Sequence, residues 1–446
     1  MKTQLSVRWL AATAVLTCWV WTTRAADYWV APDGDDANPG TLEQPFRDPV
    51  QAAARLMPGD TLFFRQGRYR CRTSAIIGLA PARDGEPGRP ITFRNHADEH
   101  VVIDVAETEW GLTSNGFDWI VFDGFEVTGR GRNNMKISAH HGRAKKGTGR
   151  HVTIRNCEVH GARSANILAV NTPFLTVENC RLHSSERSHG LYVAQGCHNA
   201  VVRHVTSENN RGNSGMQFNA AGGGITNVLA EANLLRGNAH GFSLMGVAHS
   251  VFRNNILFDN GYDGPRGSGG REIILWTYGS GDRPGALCDT VLFENNTVAN
   301  LIPEGHRIRA LVETRAGTRN VVFRNNAFVV RDRPVFALAS FEGFVFENNA
   351  LYNFAGAPHA TGGGATLADF AALRSLRETG TVADDPRFAN MVRGDFRLQP
   401  DSPLIGAGFA PPGEPKPDIG ARMTVGGRPV GCRLPWRRET GRPEEK

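Results

Sequence analysis

Histidine, tyrosine and arginine recur at one edge of a repeated motif in this 446-residue chain, and together they suit proton transfer on an acidic sugar. Removing the C5 proton of a uronate needs a base, an acid for the departing oxygen, and a cation to neutralise the carboxylate. His189 or His240 with Tyr192 supplies base and acid, and Arg271 supplies the cation. Hydrolysis of a glycosidic bond instead needs two carboxyls about 5–10 Å apart. Glu272 and Glu313 are the close outer pair, although the strand register read below turns Glu313 inward. Lys136, Gln217, Asn219, Trp276 and Tyr278 are the candidates for holding a sugar, the last two through flat apolar faces. Plainer readings stand beside these. His189 and His240 each precede a glycine, where a ring nitrogen can serve the backbone; Trp276 suits a loop anchor, and Lys136 a solvated surface.

A repeat brings these residues together. A charged residue closes a short apolar strand ten times, with alternating sign: Arg94, Asp123, Arg155, Glu178, Arg203, Glu231, Arg253, Glu294, Arg324 and Glu347. The spacing is 22 to 32 residues except for one step of 41. A β-rich unit of that length implies stacked turns, each burying its apolar face against the next. Parallel strands lie about 4.8 Å apart, so like charges in register would repel and opposite charges attract. A second strand follows in each unit: MKIS at 135, ILAV at 167, LYVA at 191, MQFN at 216, FSLM at 242, IILW at 273 and LVET at 311. Period-two alternation turns Lys136, Leu168, Tyr192, Gln217, Ser243, Ile274 and Val312 outward in one column, and Ser138, Val170, Ala194, Asn219, Met245, Trp276 and Thr314 in the next. His189, Ser214, His240, Arg271 and Arg309 then stand at the loop edge, with Glu272 beside Arg271. The 41-residue step supplies a loop there, where functional groups tend to be carried.

Two residues past each ladder charge runs a column of Cys157, Cys180, Val205, Asn233, Asn255, Asn296, Asn326 and Asn349. Its asparagines read as an internal ladder, because a buried amide must be paired. Cys157 and Cys180 read as stacked thiols, with a disulfide as the alternative. No cysteine shows the CxxC spacing of a zinc site.

The ends and composition bound the rest. Residues 1–25 read as a secretory leader: Lys2 and Arg8, an apolar run from Trp9 to Trp21, then small residues around Thr23 and Ala25. No later segment is apolar enough to span a bilayer, so a secreted or periplasmic protein is expected, without membrane insertion. The formal charge of +6 loses three basic residues with the leader, and no basic run or nucleic-acid motif is present, so no nucleic-acid partner is expected. Residues 26–60 read as an N-terminal cap with a helix over 49–57, residues 61–355 as the solenoid, 356–423 as a helix (367–377) plus closing segment, and 424–446 as a disordered tail.

The opening YWVAPDGDDANPGTLEQPFRDPVQAAARLMPGDTLFFRQGRY, the RNN and ENN rungs, HGLYV at 189, HGF at 240 and the GDFRLQPDSPLIGAG and PDIGA endings resemble secreted bacterial right-handed parallel β-helix proteins of the pectate-lyase-like superfamily. The resemblance implies an all-β, right-handed parallel β-helix of about ten to twelve rungs, a monomer acting on a polysaccharide. Lyases of acidic glycans and glycosidases both use this fold, as does a non-catalytic glycan-binding solenoid. HGFSLMGVAHSVFRNNILFDNGYDG (240–264) faintly resembles a calcium-dependent pectate lyase segment, which implies Ca²⁺ at Asp259 and Asp263. Leu244 and Met245, however, stand where that family has its lysine region.

Overall fold

A computed structural model describes residues 25–435, apart from 71–76, 106–109, 139–148, 221–223, 262–269, 277–285, 303–309, 332, 340, 354–375 and 426. The expected leader up to Arg24, and the candidates Asp263, Tyr278 and Arg309, therefore lie outside the described residues.

Nearly every element is a short parallel strand, and each turn of chain gives one strand to each of three long sheets. The first sheet begins at Asp27–Val30 and ends at Leu376–Thr379. The architecture is the right-handed parallel β-helix. The apolar positions of all three sheets meet in one continuous core, where phenylalanines of successive rungs stack: Phe252 on Phe293 at 5.2 Å, Phe293 on Phe323 at 5.0 Å and Phe323 on Phe346 at 5.2 Å. A short helix, Pro49–Ala53, starts at the Asp48 cap, whose carboxylate accepts from the Val50 amide at 2.8 Å.

The charge ladder is continuous. Register pairs Arg94 with Asp123, Asp123 with Arg155, Arg155 with Glu178, Glu178 with Arg203, and Arg203 with Glu231. It continues through Arg253, Glu294, Arg324 and Glu347. Arg203 reaches Glu178 at 2.6 Å and Arg253 reaches Glu231 at 2.7 Å. Such partly exposed pairs each contribute only about 0–1 kcal/mol, so their main effect is to disfavour shifted registers.

The residue after each ladder charge explains the recurrent Asn. Asn156, Asn179, Asn254, Asn295, Asn325 and Asn348 all have φ of 49–56°, turning the chain from the first sheet into the second. Asparagine tolerates this left-handed conformation better than other residues with a Cβ. The next asparagine points inward. Asn233, Asn255, Asn296 and Asn326 each donate an amide N–H to the following rung's side-chain oxygen at 2.9–3.0 Å. The same amides donate to the carbonyls of Val202, Ala230, Phe252 and Phe293, and each asparagine's backbone N–H is taken by the next Oδ1. Cys157 and Cys180 continue the column as buried thiols without a disulfide.

Four expectations change. The strand Asp27–Val30 pairs with Thr61–Phe64, so the coil already includes the first residues of the segment read as a cap. Leu376 and Arg377 lie in a strand rather than at the end of a helix; Val345 pairs with Arg377, and the Arg377 guanidinium reaches Glu347 at 3.0 Å. Beyond 423 the described chain, residues 424–425 and 427–435, is held by hydrogen bonds to the coil. It runs back along the turns, with Gly431 N–H donating to Ala232, Cys432 N–H to Thr206 Oγ1, and Arg433 N–H to Asn179 Oδ1. Turn asparagines and threonines give this polar segment the partners its composition alone does not reveal. In the third sheet, Val312–Thr314 is shifted by one residue: Ile274 lies beside Glu313, and Leu275 beside Thr314. Glu313 therefore faces outward in place of Val312, and Arg315 takes the position expected for Thr314. Leu311 and Val312 are both buried, and two adjacent apolar residues fit either register.

Asn296→Ala removes one amide that serves three rungs. It orphans the Asn255 N–H groups and the Phe252 carbonyl, and a loss on the order of 3 kcal/mol is expected in urea unfolding. An unchanged unfolding midpoint would show that the ladder bears no load.

Candidate functional site

The site is built on the outer face of the third sheet, where register carries Lys136, Leu168, Tyr192, Gln217, Ser243 and Ile274 in one column. Ala194, Asn219, Met245 and Trp276 form the next. At the loop edge, Ser214 pairs with His240 and His240 with Arg271. A groove of about 260 Å³ opens here, lined by Gly212, Asn213, Gln217, His240, Ser243, Met245, Arg271, Trp276 and Arg315, among others.

Arginine dominates its charge. Arg271 is buried and donates Nε–H to Glu313 Oε2 at 2.6 Å, while Arg315 Nε lies 3.3 Å from Glu313 Oε1. Arg315 also lies over the Trp276 ring, 4.4 Å from its centroid. Two guanidinium groups thus share one carboxylate, and the cluster keeps a net positive charge. Beside it His240 is only 7% exposed, and its Nδ1 has no hydrogen-bond partner among the described residues. Burial, helped by the Arg271 charge, pushes its pKa down to about 4, so the ring is neutral at neutral pH.

One rung earlier, His189 Nδ1 accepts the Ser214 amide N–H at 3.2 Å, and its ring meets Tyr192 edge-on at 4.9 Å. Burial holds the His189 pKa down to about 3, with the nearby His240 adding to the shift and a Gln217 hydrogen bond opposing it. The Tyr192 oxygen accepts from Asn219 at 3.0 Å. His189 thus supports Tyr192, Gln217 and the Ser214 backbone, while His240 and Arg271 line the groove itself. Farther along the sheet, Lys136 Nζ lies 3.6 Å from the centroid of the Trp110 ring.

Glu272 does not join them. It is 0% exposed and turns into the coil, because alternation breaks beside the inward Ile273, where the N–H groups of Glu272 and Ile273 both donate to the Leu311 carbonyl. Its Oε1 accepts from the Asn260 backbone and the Asn300 amide, both at 2.8 Å, and its Oε2 from the Asn260 amide at 2.6 Å. It ends a second internal ladder, running through Asn166, Asn210, Asn238 and Asn260. The outer pair of Glu272 with Glu313 is thus replaced by one acid inside and one outside. Arg315 and the outward Glu313 were hidden by the one-residue register shift. The second ladder had a sequence signal, an Asn five residues past the first column at 210, 238 and 260.

Of the residues suggested for Ca²⁺, Asp263 lies outside the described residues. The Asp259 carboxylate accepts the Leu301 N–H at 2.7 Å, and no group of three or more His, Cys, Asp or Glu among the described residues is arranged to hold a metal ion. No helix among the described residues is long and apolar enough to cross a membrane.

Burial raises the Glu272 pKa to about 8, against the pull of its three N–H donors. The folded state then binds this proton more tightly than the unfolded chain. The resulting stability is complete below the ordinary carboxylate range and is lost as the pH climbs towards about 8. Urea midpoints measured across that range should fall in the wild type, and Glu272→Gln should flatten that part of the profile. A wild-type profile already flat from pH 5 to 9, as a trial range, would mean that Glu272 is ionised throughout.

Comparison with known proteins agrees with this architecture. The family described as "Pel9A-like, right handed beta helix region" matches residues 28–165, and "Right handed beta helix region" matches 102–280 and 145–370. An uncharacterised Bacillus subtilis protein, YwoF, is 40% identical over 80 residues, which is 18% of this chain and 16% of that one. Pectate lyase PEL9 of Emericella nidulans is 31% identical over 83 residues, 19% of each chain. These matches span less than a fifth of either relative's length. Among solved structures, pectate lyase Pel9A superposes with a TM-score of 0.53 at 18% identity, covering 89% of this chain and 96% of that one. Alginate lyase AlyGC gives 0.56 at 13% identity, covering 93% and 59%. With matches running across residues 102–370, the chain belongs to the right-handed β-helix family.

Proposed function

We propose that this protein is a carbohydrate-active enzyme, a lyase that cleaves an acidic polysaccharide by β-elimination. The observation that carries the reading is a buried, neutral His240 set beside the Arg271–Glu313–Arg315 cluster in one groove. In the proposed reaction the uronate carboxylate lies against Arg315 and Arg271, which stabilise the charge that develops when C5 loses its proton. His240 takes that proton on a ring nitrogen. The C5–H electrons form the C4–C5 double bond as the C4–O bond breaks, and Tyr192 returns a proton to the departing oxygen. His189 and Gln217 act as positioning residues for Tyr192. Relatives named as pectate and alginate lyases support the substrate class.

Hydrolysis is less well served. The described residues lining the groove include no carboxyl group; Glu313 behind them is held by two arginines, and Glu272 faces the interior.

Absorbance of the unsaturated uronate product, on pectate, alginate and glycosaminoglycans, tests the proposal. His240→Ala should lower kcat by about 10²–10⁴-fold and Tyr192→Phe by a comparable factor, both with the fold intact. For the wild type, kcat/KM should rise with pH through about 4 as His240 loses its proton, then level off. Reducing sugar released from a neutral glycan without unsaturated product would replace elimination with hydrolysis. Sugar binding without turnover would leave a binding module.

A further inference from the structure

We infer that Trp276 and Glu313 are positioning residues: they hold the Arg315 guanidinium in one orientation in the groove, and through it they set how strongly the site favours a charged uronate over a neutral one. The inference rests on the polyuronate reading above and adds to it the residues that aim its cation.

The Arg315 side chain lines the groove and is 49% exposed. A long side chain so placed loses rotamer freedom when it grips an anion. Two contacts remove that freedom before a ligand arrives. Leu275 lies beside Thr314, and the Arg315 N–H donates to the Leu275 carbonyl at 2.9 Å, so Trp276 and Arg315 fall in one outward column on adjacent rungs. The guanidinium carbon then sits 4.4 Å from the centroid of the Trp276 ring, whose face attracts a cation. Glu313 stands two residues before Arg315 on the same face of the strand, with its Oε1 3.3 Å from Arg315 Nε. One contact restrains the guanidinium from across the strands, the other from along its own strand.

The surroundings of both residues fit this part. The register neighbours of Glu313 are Ile274 and Ala337, whose side chains offer a carboxylate no hydrogen bond. Its two oxygens turn instead to Arg315 and to Arg271, whose Nε–H reaches Oε2 at 2.6 Å. Trp276 stands between Met245 and Arg315 in its column. With the guanidinium over one ring face and Met245 on the other side, the ring offers a sugar little of its flat surface. Its effect on a ligand therefore runs through Arg315. A uronate carboxylate forms a charge-assisted pair with a guanidinium held in place, whereas its methyl ester brings no charge to that pair.

Calorimetric binding of oligogalacturonates and oligoalginates, each as acid and as methyl ester, tests this with chains whose melting matches the wild type. Trp276→Leu should weaken binding of the acids by about tenfold and leave the esters within about twofold, and Trp276→Phe, which keeps a ring beside the cation, should restore most of the loss. Glu313→Gln takes a negative charge from between two guanidinium groups, so the acids should bind severalfold more tightly with a steeper salt dependence, and the esters as before. Equal losses for acid and ester in Trp276→Leu would make Trp276 a sugar platform and overturn its part. Unchanged acid affinity and salt dependence in Glu313→Gln would overturn the part given to Glu313. The Trp276 variants alter a partly exposed side chain and leave the core in place, so they decide the question even where Glu313→Gln does not fold. A wild-type chain that binds acid and ester equally would overturn this inference alone, elimination being judged by the unsaturated product. One that binds neither acidic series would overturn the polyuronate reading with it.

Discussion

The pairing of buried asparagine amides between rungs is the constraint on which the rest of the molecule depends. A parallel β-helix packs its core with apolar residues that tolerate sliding; Phe293 can stack on any neighbouring ring at the right height. An amide cannot slide. Asn255 donates to the Ala230 carbonyl and to Asn296 Oδ1 while Asn296 takes its backbone N–H, and a shift of one residue would leave all of these buried groups unpaired at a cost of about 1–3 kcal/mol each. The ladder is reinforced outside by charges of alternating sign and at the bend by asparagines with positive φ. With one turn of each rung fixed in this way, the outward columns of the third sheet become fixed neighbours. Tyr192 is placed beside Gln217 and His240 beside Arg271 by interactions on the opposite side of the coil.

The second asparagine ladder shows the same constraint nearer the groove. Glu272 ends it because the last amide needs an acceptor for both its backbone and side-chain N–H, and a carboxyl group offers two oxygens. Its neighbour Arg271 emerges on the other face of the strand. Anchoring Glu272 inside thus anchors Arg271 outside, and the Glu313 carboxylate then draws Arg271 and Arg315 together. The second sheet departs from sign alternation and compensates for it. Glu126 and Glu158 lie in adjacent positions. His100 and His160 bind Glu126, while Arg181 and His183 bind Glu158. Those histidine contacts hold the Glu126 carboxyl down at about 2.

The legible parts were those with a periodic cause. Ten signed residues at a steady interval specified the coil, and the register from Arg94 to Glu347 follows them position by position. The Asn column followed from the need to pair buried amides, and the outward column from Lys136 to Ile274 from period-two alternation. Legibility failed where periodicity broke. Leu311 and Val312 are adjacent apolar residues, so the pattern allowed two registers, and the choice between them decides whether Glu313 is an interior acid or the anchor of two arginines. Glu272 was misplaced because strict alternation from the inward Ile273 turns it outward, whereas the strand breaks alternation there, with the N–H groups of Glu272 and Ile273 both donating to the Leu311 carbonyl. The polar segment near Gly431 had no apolar pattern at all; its order comes from partners far away in sequence, Ala232, Thr206 and Asn179.

The same break in periodicity locates the groove. Between Arg253 and Glu294 the repeat lengthens to 41 residues, yet Ile273 still pairs with Phe242 and Phe293 still stacks on Phe252. The core register therefore runs undisturbed through the rung that carries Arg271 and Trp276. A solenoid can accept such an insertion because each rung depends only on its two neighbours. The rung that departs most from the average length thus carries the buried arginine and the tryptophan under Arg315, and the regular rungs on either side hold them in register.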